Sequence, residues 1–335
     1  MLKSDMPFRI RISLAILLAL VLTALLGPLL IPVPTLKDTV PAIQLADPDS
    51  QFIEVGELTV HFKTSSLPPL AGGPVLVFLH GFASSLYSWH EVLETLGRDG
   101  WSVAFDRPAF GLTERPRRGE WRDLNPYAPE GQLRVTLELL NALEIDRAVL
   151  VGHSSGGALA VKLALESPDR VAALVLVDPA IVREGGPPRW SRPLLFIPQL
   201  NRVGPLLMRR FSGSSGWTFL QAAWSDPRLI DDETFEAYRR ALQVDDWDWA
   251  LWEYSRSTYK LNLVPRLSEL SLPTLVVSGA DDKIVPLERT KEVVQAIPNA
   301  TLAVFDSCGH VPHEECPLPF IEVVKGWLLD QGFFN

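Results

Sequence analysis

Ala148-Val149-Leu150-Val151-Gly152-His153-Ser154-Ser155-Gly156-Gly157 is the stretch on which the fold turns. Its first four residues are an unbroken apolar run, the mark of a strand buried on both faces, and Ser155 to Ser167 beyond it carries helical periodicity. Between them lies G-x-S-x-G, whose mechanical meaning depends on this strand-turn-helix context. The serine must sit on a sharp turn with strained backbone angles, so Gly152 and Gly156 remove the Cβ atoms that would clash across it. The Ser154 hydroxyl then points out at the C-terminal edge of the sheet, close to the positive end of the next helix.

Working outward, the same pattern repeats on both sides. Val75–Leu79, Trp101–Phe105, Val171–Val177, Thr274–Ser278 and Thr301–Phe305 are short apolar runs. Helical stretches fall near Leu86–Gly97, Glu130–Leu143, Leu287–Ala296 and Pro319–Leu329. Short buried strands alternating with helices specify a parallel sheet covered on both faces. Phe52 to Lys63 alternates apolar and polar residues around Gly56-Glu57, which adds an antiparallel hairpin at the start. The fold class is therefore α/β, a mostly parallel sheet of about eight strands. Between Val182 and Val264 no strand pattern appears, and six of the ten Trp lie there, at 190, 217, 224, 247, 249 and 252. Residues 183–263 read as an inserted helical lid, and residues 51–182 with 264–335 as the core.

A serine hydroxyl is a poor nucleophile without a base. Of the six histidines, His61, His80, His90 and His153 fall in the hairpin, at a strand end, on an early helix and within the elbow. His310, past the last strand in Cys308-Gly309-His310-Val311-Pro312-His313, is the expected base, with His313 next. The imidazole needs a carboxylate to fix its tautomer. Asp282, in Gly279-Ala280-Asp281-Asp282, is that acid; Asp178, directly after Val171–Val177, competes, and Asp281 reads as a cap or solvent-facing group. Ser154, Asp282 and His310 stand in the chain order Ser, Asp, His. The oxyanion of a tetrahedral intermediate needs two aimed donors, the Ser155 N–H and one from His80-Gly81-Phe82, expected to be the Phe82 N–H. His80 itself reads as structural. Cys308, His310, His313 and Cys316 form a rival zinc set, but C-x-H-x-x-H-x-x-C lacks a paired knuckle and a ligated His310 could not act as base, so no metal is expected. The two cysteines, which give no disulfide framework, read as buried thiols.

The 335 residues carry a formal net charge of -9 with 47% hydrophobic and 21% charged residues, so disordered and coiled-coil classes drop out. No basic stripe offers a nucleic-acid surface. Ile12 to Leu36 contains no charge, and Ile12–Ile31 as a helix would be roughly 30 Å long, the thickness of a bilayer core. Lys3, Arg9 and Arg11 precede it, so residues 1–11 would be cytoplasmic, 12–31 a single membrane span, and the catalytic part on the outer face. The alternative is a cleaved signal and a secreted protein, for which Val40-Pro41-Ala42 is a poor site. Residues 32–50, with Pro32, Pro34 and Pro41, read as a stiff, exposed linker.

With these pieces placed, the sequence resembles the α/β-hydrolase fold superfamily over nearly all of residues 50 to 335. His80-Gly81-Phe82 resembles its H-G oxyanion segment, and Asp106-Arg107-Pro108-Ala109-Phe110-Gly111 its D-R-P-G-x-G loop, with Ala109 in place of glycine. Gly279 to Pro286 is similar to G-x-x-D-x-I-V-P, and Gly309 to Pro317 to G-H-x-P-x-x-E-x-P. The resemblance implies an esterase-like serine hydrolase acting through an acyl-enzyme on a small-molecule ester or acyl substrate, without a cofactor. Ser154 argues against the related dehalogenases and epoxide hydrolases, which use aspartate. Carbon-carbon bond hydrolases keep serine but show asparagine where this chain has His153. They remain an alternative, as do a transacylase and a non-catalytic hydrolase-fold binding protein.

Overall fold

The computed structural model describes residues 8–67, 73–182, 189–257 and 261–334. Eight strands form one sheet in the order β1-β2-β4-β3-β5-β6-β7-β8. They are β1 Gln51–Val55, β2 Leu58–Thr64, β3 Val75–Leu79, β4 Trp101–Phe105, β5 Ala148–His153, β6 Val171–Val177, β7 Thr274–Gly279 and β8 Ala300–Phe305. The hairpin β1-β2 pairs antiparallel, and β2 lies antiparallel to β4; every other pairing is parallel. The expected α/β fold with its mostly parallel sheet is what the chain adopts.

The helices are α1 Phe8–Leu30, α2 His90–Gly97, α3 Pro129–Ala142, α4 Ser155–Glu166, α5 Pro198–Met208, α6 Ser214–Ala223, α7 Asp232–Arg240, α8 Trp247–Ser257, α9 Leu287–Ala296, α10 Pro312–Glu315 and α11 Pro317–Asp330. Period-2 alternation in the strands divides the core in two. Val77, Leu79, Leu150, Leu174 and Val276 pack on one face with Leu139 of α3, Ala160 of α4 and Val293 of α9. Leu76, Phe78, Val149, Val175 and Val277 pack on the other with Val92 of α2 and Phe320, Val324 and Leu328 of α11. With both faces buried, alternation into polar residues would strand polar groups in the core, hence the continuous apolar runs.

Helices α5 to α8 lie between β6 and β7, with no strand among the described residues of that segment. α1 is 23 residues long, contains no acidic residue and buries none of its side chains. It is long and apolar enough to cross a membrane. Lys3 of the basic N-terminus lies outside the described residues. The stretch after α1 is less free than its composition suggests. Val40 pairs with Val244 in a parallel bridge, its N–H donating to the Gln243 carbonyl at 2.9 Å. Asp47 is ion-paired to both Lys63 of β2 and Arg240 of α7. Proline stiffens this stretch, but long-range pairs strap it down, and these leave no local trace in sequence.

Candidate active site

The parallel register ends β3, β5, β6 and β7 on one edge, and the residues of interest follow those ends. Ser154 closes β5 with φ +51° and ψ -117°, a left-handed conformation that a non-glycine residue adopts only under constraint. Three bonds supply it: Ser154 N–H donates to Val177 O at 2.8 Å, and Ser154 O accepts from Ala158 N–H at 3.2 Å and Ala180 N–H at 3.1 Å. A Cβ on Gly152 would stand 2.7 Å from Gly157 Cα, and one on Gly156 would collide with the Leu79 carbonyl, so the turn has no room for a side chain at either position.

Asp282 follows β7. Its Oδ1 accepts from Ile284 N–H at 2.7 Å and Val285 N–H at 2.9 Å, which fixes the carboxylate in a local turn. Its Oδ2 lies 2.6 Å from His310 Nδ1. His310 follows β8, and its backbone is clasped on both sides: its N–H donates to Ala223 O of α6 at 2.6 Å, and its carbonyl accepts from His153 Nε2 at 2.8 Å. Burial first, and then the neighbouring His310 and His313, push the His153 imidazole well below its usual range, so it acts as a neutral donor.

Asp178, the competing acid, lies within 4.8 Å of both Asp282 and His310 but spends its hydrogen bond on Ser278. It accepts from Ser278 Oγ at 2.6 Å, and burial together with the adjacent Asp282 raises its pKa well above the carboxylate range. A neutral Asp178 beside Asp282 leaves the negative charge on the group that touches His310. Asp281 turns to Ser225, whose hydroxyl donates to it at 2.8 Å. His313 is stacked on Trp89 with ring centroids 4.2 Å apart and fully buried, away from the open face of the site. His80 spends both ring nitrogens on backbone, Nδ1 on Gly81 O at 2.8 Å and Nε2 on Arg107 N–H at 3.1 Å, and burial drives its pKa down to about 3.

Ser154, Ser155, Phe82 and His310 line one cavity of about 310 Å³. Ser155 is the first residue of α4, so its N–H has no intrahelical acceptor and is free to serve a ligand. Most of the remaining wall is aromatic or aliphatic, with Phe82 in edge contact with Phe110, Phe211 and Phe219. Two cations line it, Arg239, which is paired with Glu236, and Arg115. Arg115 is buried, donates to Gly111 O and Ala241 O, and leaves Nε and one terminal nitrogen without a partner; burial lowers its pKa to about 10.

Several contributors were not legible in the sequence. Cys308 and Cys316 are not free thiols but a disulfide, with Cα atoms 6.5 Å apart, because the turn of α10 folds the chain back on itself. The bond encloses His310 and removes both thiolates from the rival zinc set. Glu315, present in the quoted G-H-x-P-x-x-E-x-P pattern but without an assigned role there, accepts from Gly309 N–H at 2.6 Å, Asp226 N–H at 2.9 Å and Ser225 N–H at 3.1 Å. It therefore ties the His310 loop to the inserted segment. Arg107 is buried beneath the elbow and donates to Ser155 Oγ at 2.9 Å and Gln132 Oε1 at 3.1 Å. Ala109, where the family pattern has glycine, takes φ +86°, which explains the usual preference. A second row, Ser50 Oγ to His61 Nε2 at 2.8 Å and His61 Nδ1 to Asp106 at 2.6 Å, pins the N-terminal stretch to β2 and the end of β4. Asp106 also accepts from Leu86 and Leu112 N–H at 2.7 Å each, so this row braces loops.

The alpha/beta hydrolase fold family matches residues 74–317. An uncharacterized hydrolase, YugF, of Bacillus subtilis is 30% identical over 249 residues, covering 73% of this chain and 86% of the relative. A 2-hydroxy-6-oxo-6-phenylhexa-2,4-dienoate hydrolase of Burkholderia cepacia is 29% identical over 272 residues, 78% of this chain and 90% of the relative. Among solved structures, a membrane phospholipase A superposes with a TM-score of 0.67 at 21% identity, covering 97% of this chain and 98% of the other.

Proposed function

This chain belongs to the alpha/beta hydrolase family and is a hydrolase, and from that premise we propose that it cleaves a carboxylic ester through an acyl-enzyme built on Ser154, His310 and Asp282. The observation that carries the reading is a pairing of constraints: Ser154 is held at φ +51° facing the cavity, and His310, on the same wall, has its Nδ1 occupied by Asp282 at 2.6 Å. With Nδ1–H donated to the carboxylate, Nε2 is the basic nitrogen. It takes the Ser154 proton as Oγ attacks the acyl carbonyl, and the N–H groups of Phe82 and Ser155 donate to the resulting oxyanion. His310 then returns the proton to the leaving alcohol, and water repeats the cycle on the acyl-enzyme. The apolar wall suits an acyl chain, and α6 to α8 act as the lid over it.

The anchor and its orientation belong to the same reading. The large apolar residues of α1 from Phe8 to Leu26 are all at least 44% exposed, a surface that a bilayer would cover. The Cys308–Cys316 disulfide favours an oxidising compartment, in agreement with a catalytic domain on the outer face.

Purified full-length protein should hydrolyse p-nitrophenyl acyl esters and take a fluorophosphonate label. Both should vanish in Ser154→Ala, and a variant that keeps either overturns the assignment. A second reading, carbon-carbon hydrolysis of a carboxylate-bearing dienoate, is favoured by Arg115, a buried cation among the residues lining the cavity, whose charge complements a carboxylate. Turnover of a dienoate in preference to esters selects it.

A further inference from the structure

The inserted segment opens with an unusual composition. In a chain of net charge -9, residues 185–225 contain Arg189, Arg192, Arg202, Arg209 and Arg210 and no Asp or Glu. The same stretch exposes large apolar side chains: Trp190 is 79% exposed, Leu194 and Leu207 48% each. Cationic charge combined with exposed tryptophan and leucine on a short helical element is the composition of a segment lying in a lipid-water interface.

Its place in the fold agrees. α5 packs along the C-terminal part of α1, where Gln199 Nε2 donates to Leu25 O at 2.9 Å. Arg202 Nε donates to Ile31 O at 3.2 Å, and Arg209 to Pro34 O at 2.7 Å, just past the helix end. Leu25 is five residues before the last residue of α1, a depth of about 7–8 Å at 1.5 Å per residue. With residues 12–31 spanning the bilayer core, Gln199 reaches about 7–8 Å inside its outer edge, the depth to which an interfacial helix sinks. From α5 the chain runs directly into Phe211, Gly213 and Trp217, which line the cavity that holds Ser154.

We propose that residues 190–208 dock into the outer surface of an anionic phospholipid bilayer, so that the lid wall of the cavity rests on the membrane that α1 spans. The inference rests on the reading of α1 as an anchor. Lipid headgroups supply the anionic charge for Arg192 and Arg202 within the segment and Arg210 just after it, Arg209 being paired with Asp248 at 2.8 Å, and the acyl region covers Trp190, Leu194 and Leu207.

Full-length protein carrying single NBD-labelled cysteines at Leu20→Cys, Leu194→Cys, Leu207→Cys or Val304→Cys, with the native disulfide kept oxidised, is reconstituted into phosphatidylcholine vesicles with and without phosphatidylglycerol. Lipids bearing a shallow doxyl group are the quencher, with a deep doxyl for the Leu20 site. The expected result is quenching at 194 and 207, stronger with phosphatidylglycerol, and none at 304 on the far strand β8. The Leu20 label reports the anchor separately. Quenching at 20 without quenching at 194 and 207 overturns the docking while leaving the anchor intact. No quenching at 20 overturns both. Quenching that is equal in neutral and anionic vesicles overturns the charge match. Pyrene at Leu207→Cys giving excimer emission, with no lipid quenching, overturns it in favour of a second copy of the chain.

Discussion

Asp282 and His310 meet across 28 residues of chain, carboxylate oxygen to imidazole nitrogen at 2.6 Å, although each sits on a loop fixed by different partners. Two backbone N–H groups of its own turn hold Asp282. His310 is held by α6 on one side and His153 on the other. The two loops are also joined directly, Asp281 N–H donating to Cys308 O at 3.0 Å, so the pair is set before substrate arrives. Asp282→Asn should keep the geometry but present the wrong tautomer. We expect kcat to fall by about four orders of magnitude with little change in KM. Steady-state kinetics on a p-nitrophenyl ester check this, and a loss under tenfold would move the orienting role elsewhere.

Glu315 anchors three backbone N–H groups from two segments. Removing the carboxylate in Glu315→Ala leaves Gly309, Ser225 and Asp226 seeking water at a partly buried position. A destabilisation of about 2 kcal/mol is expected from charge-assisted bonds of this kind, and a looser His310 should lower kcat roughly tenfold more than Glu315→Gln does. Urea unfolding and kinetics on both variants test it; equal kcat in the two variants would argue against a positioning role.

The Cys308–Cys316 bond closes a loop of sequence separation 8 around His310. Loop-closure entropy for so short a ring is about 2–3 kcal/mol at 25 °C. For a chain of this size that amounts to a fall of roughly 4 °C in Tm for the double Cys308→Ser, Cys316→Ser variant. Differential scanning calorimetry reads the shift. Reductant should reproduce it in the native protein and leave the variant unmoved.

Glu314 gives a pH dependence whose sign is fixed by burial. Its carboxyl accepts from Tyr238 OH of α7 at 2.5 Å, its other oxygen has no partner, and burial raises its pKa from 4.5 to about 8. The folded protein therefore holds a proton that the unfolded chain has lost between those two values. Stability should be greatest below the unfolded value, decline as pH rises from about 4.5 to 8, and level off above that. Glu314→Gln keeps an acceptor for Tyr238 and cannot ionise. It should match the native protein near the lower end and exceed it at the upper end, so Tm measured across this range should converge in acid and separate in alkali. Parallel curves would show that Glu314 does not carry the effect.

The alternation of apolar runs and helices, the G-x-S-x-G elbow and the long uncharged N-terminal run are properties of consecutive residues. That is why β3 to β8 and α2, α3, α4, α9 and α11 could be read from the chain to within a few residues. Ser154 was legible for the same reason, since a strand, a turn and a helix in sequence define its geometry. The partners were different. Whether His310 would be oriented by Asp282 or Asp178 depended on which loop end leans toward β8, and in the structure Asp178 turns to Ser278. The cysteine pair, the three-way grip of Glu315, the Ser50-His61-Asp106 row and the contact of α5 with α1 all join residues through space. Sheet order and packing of the inserted helices decide those contacts, because a side chain's partner is set by where two elements cross and not by its neighbours along the chain.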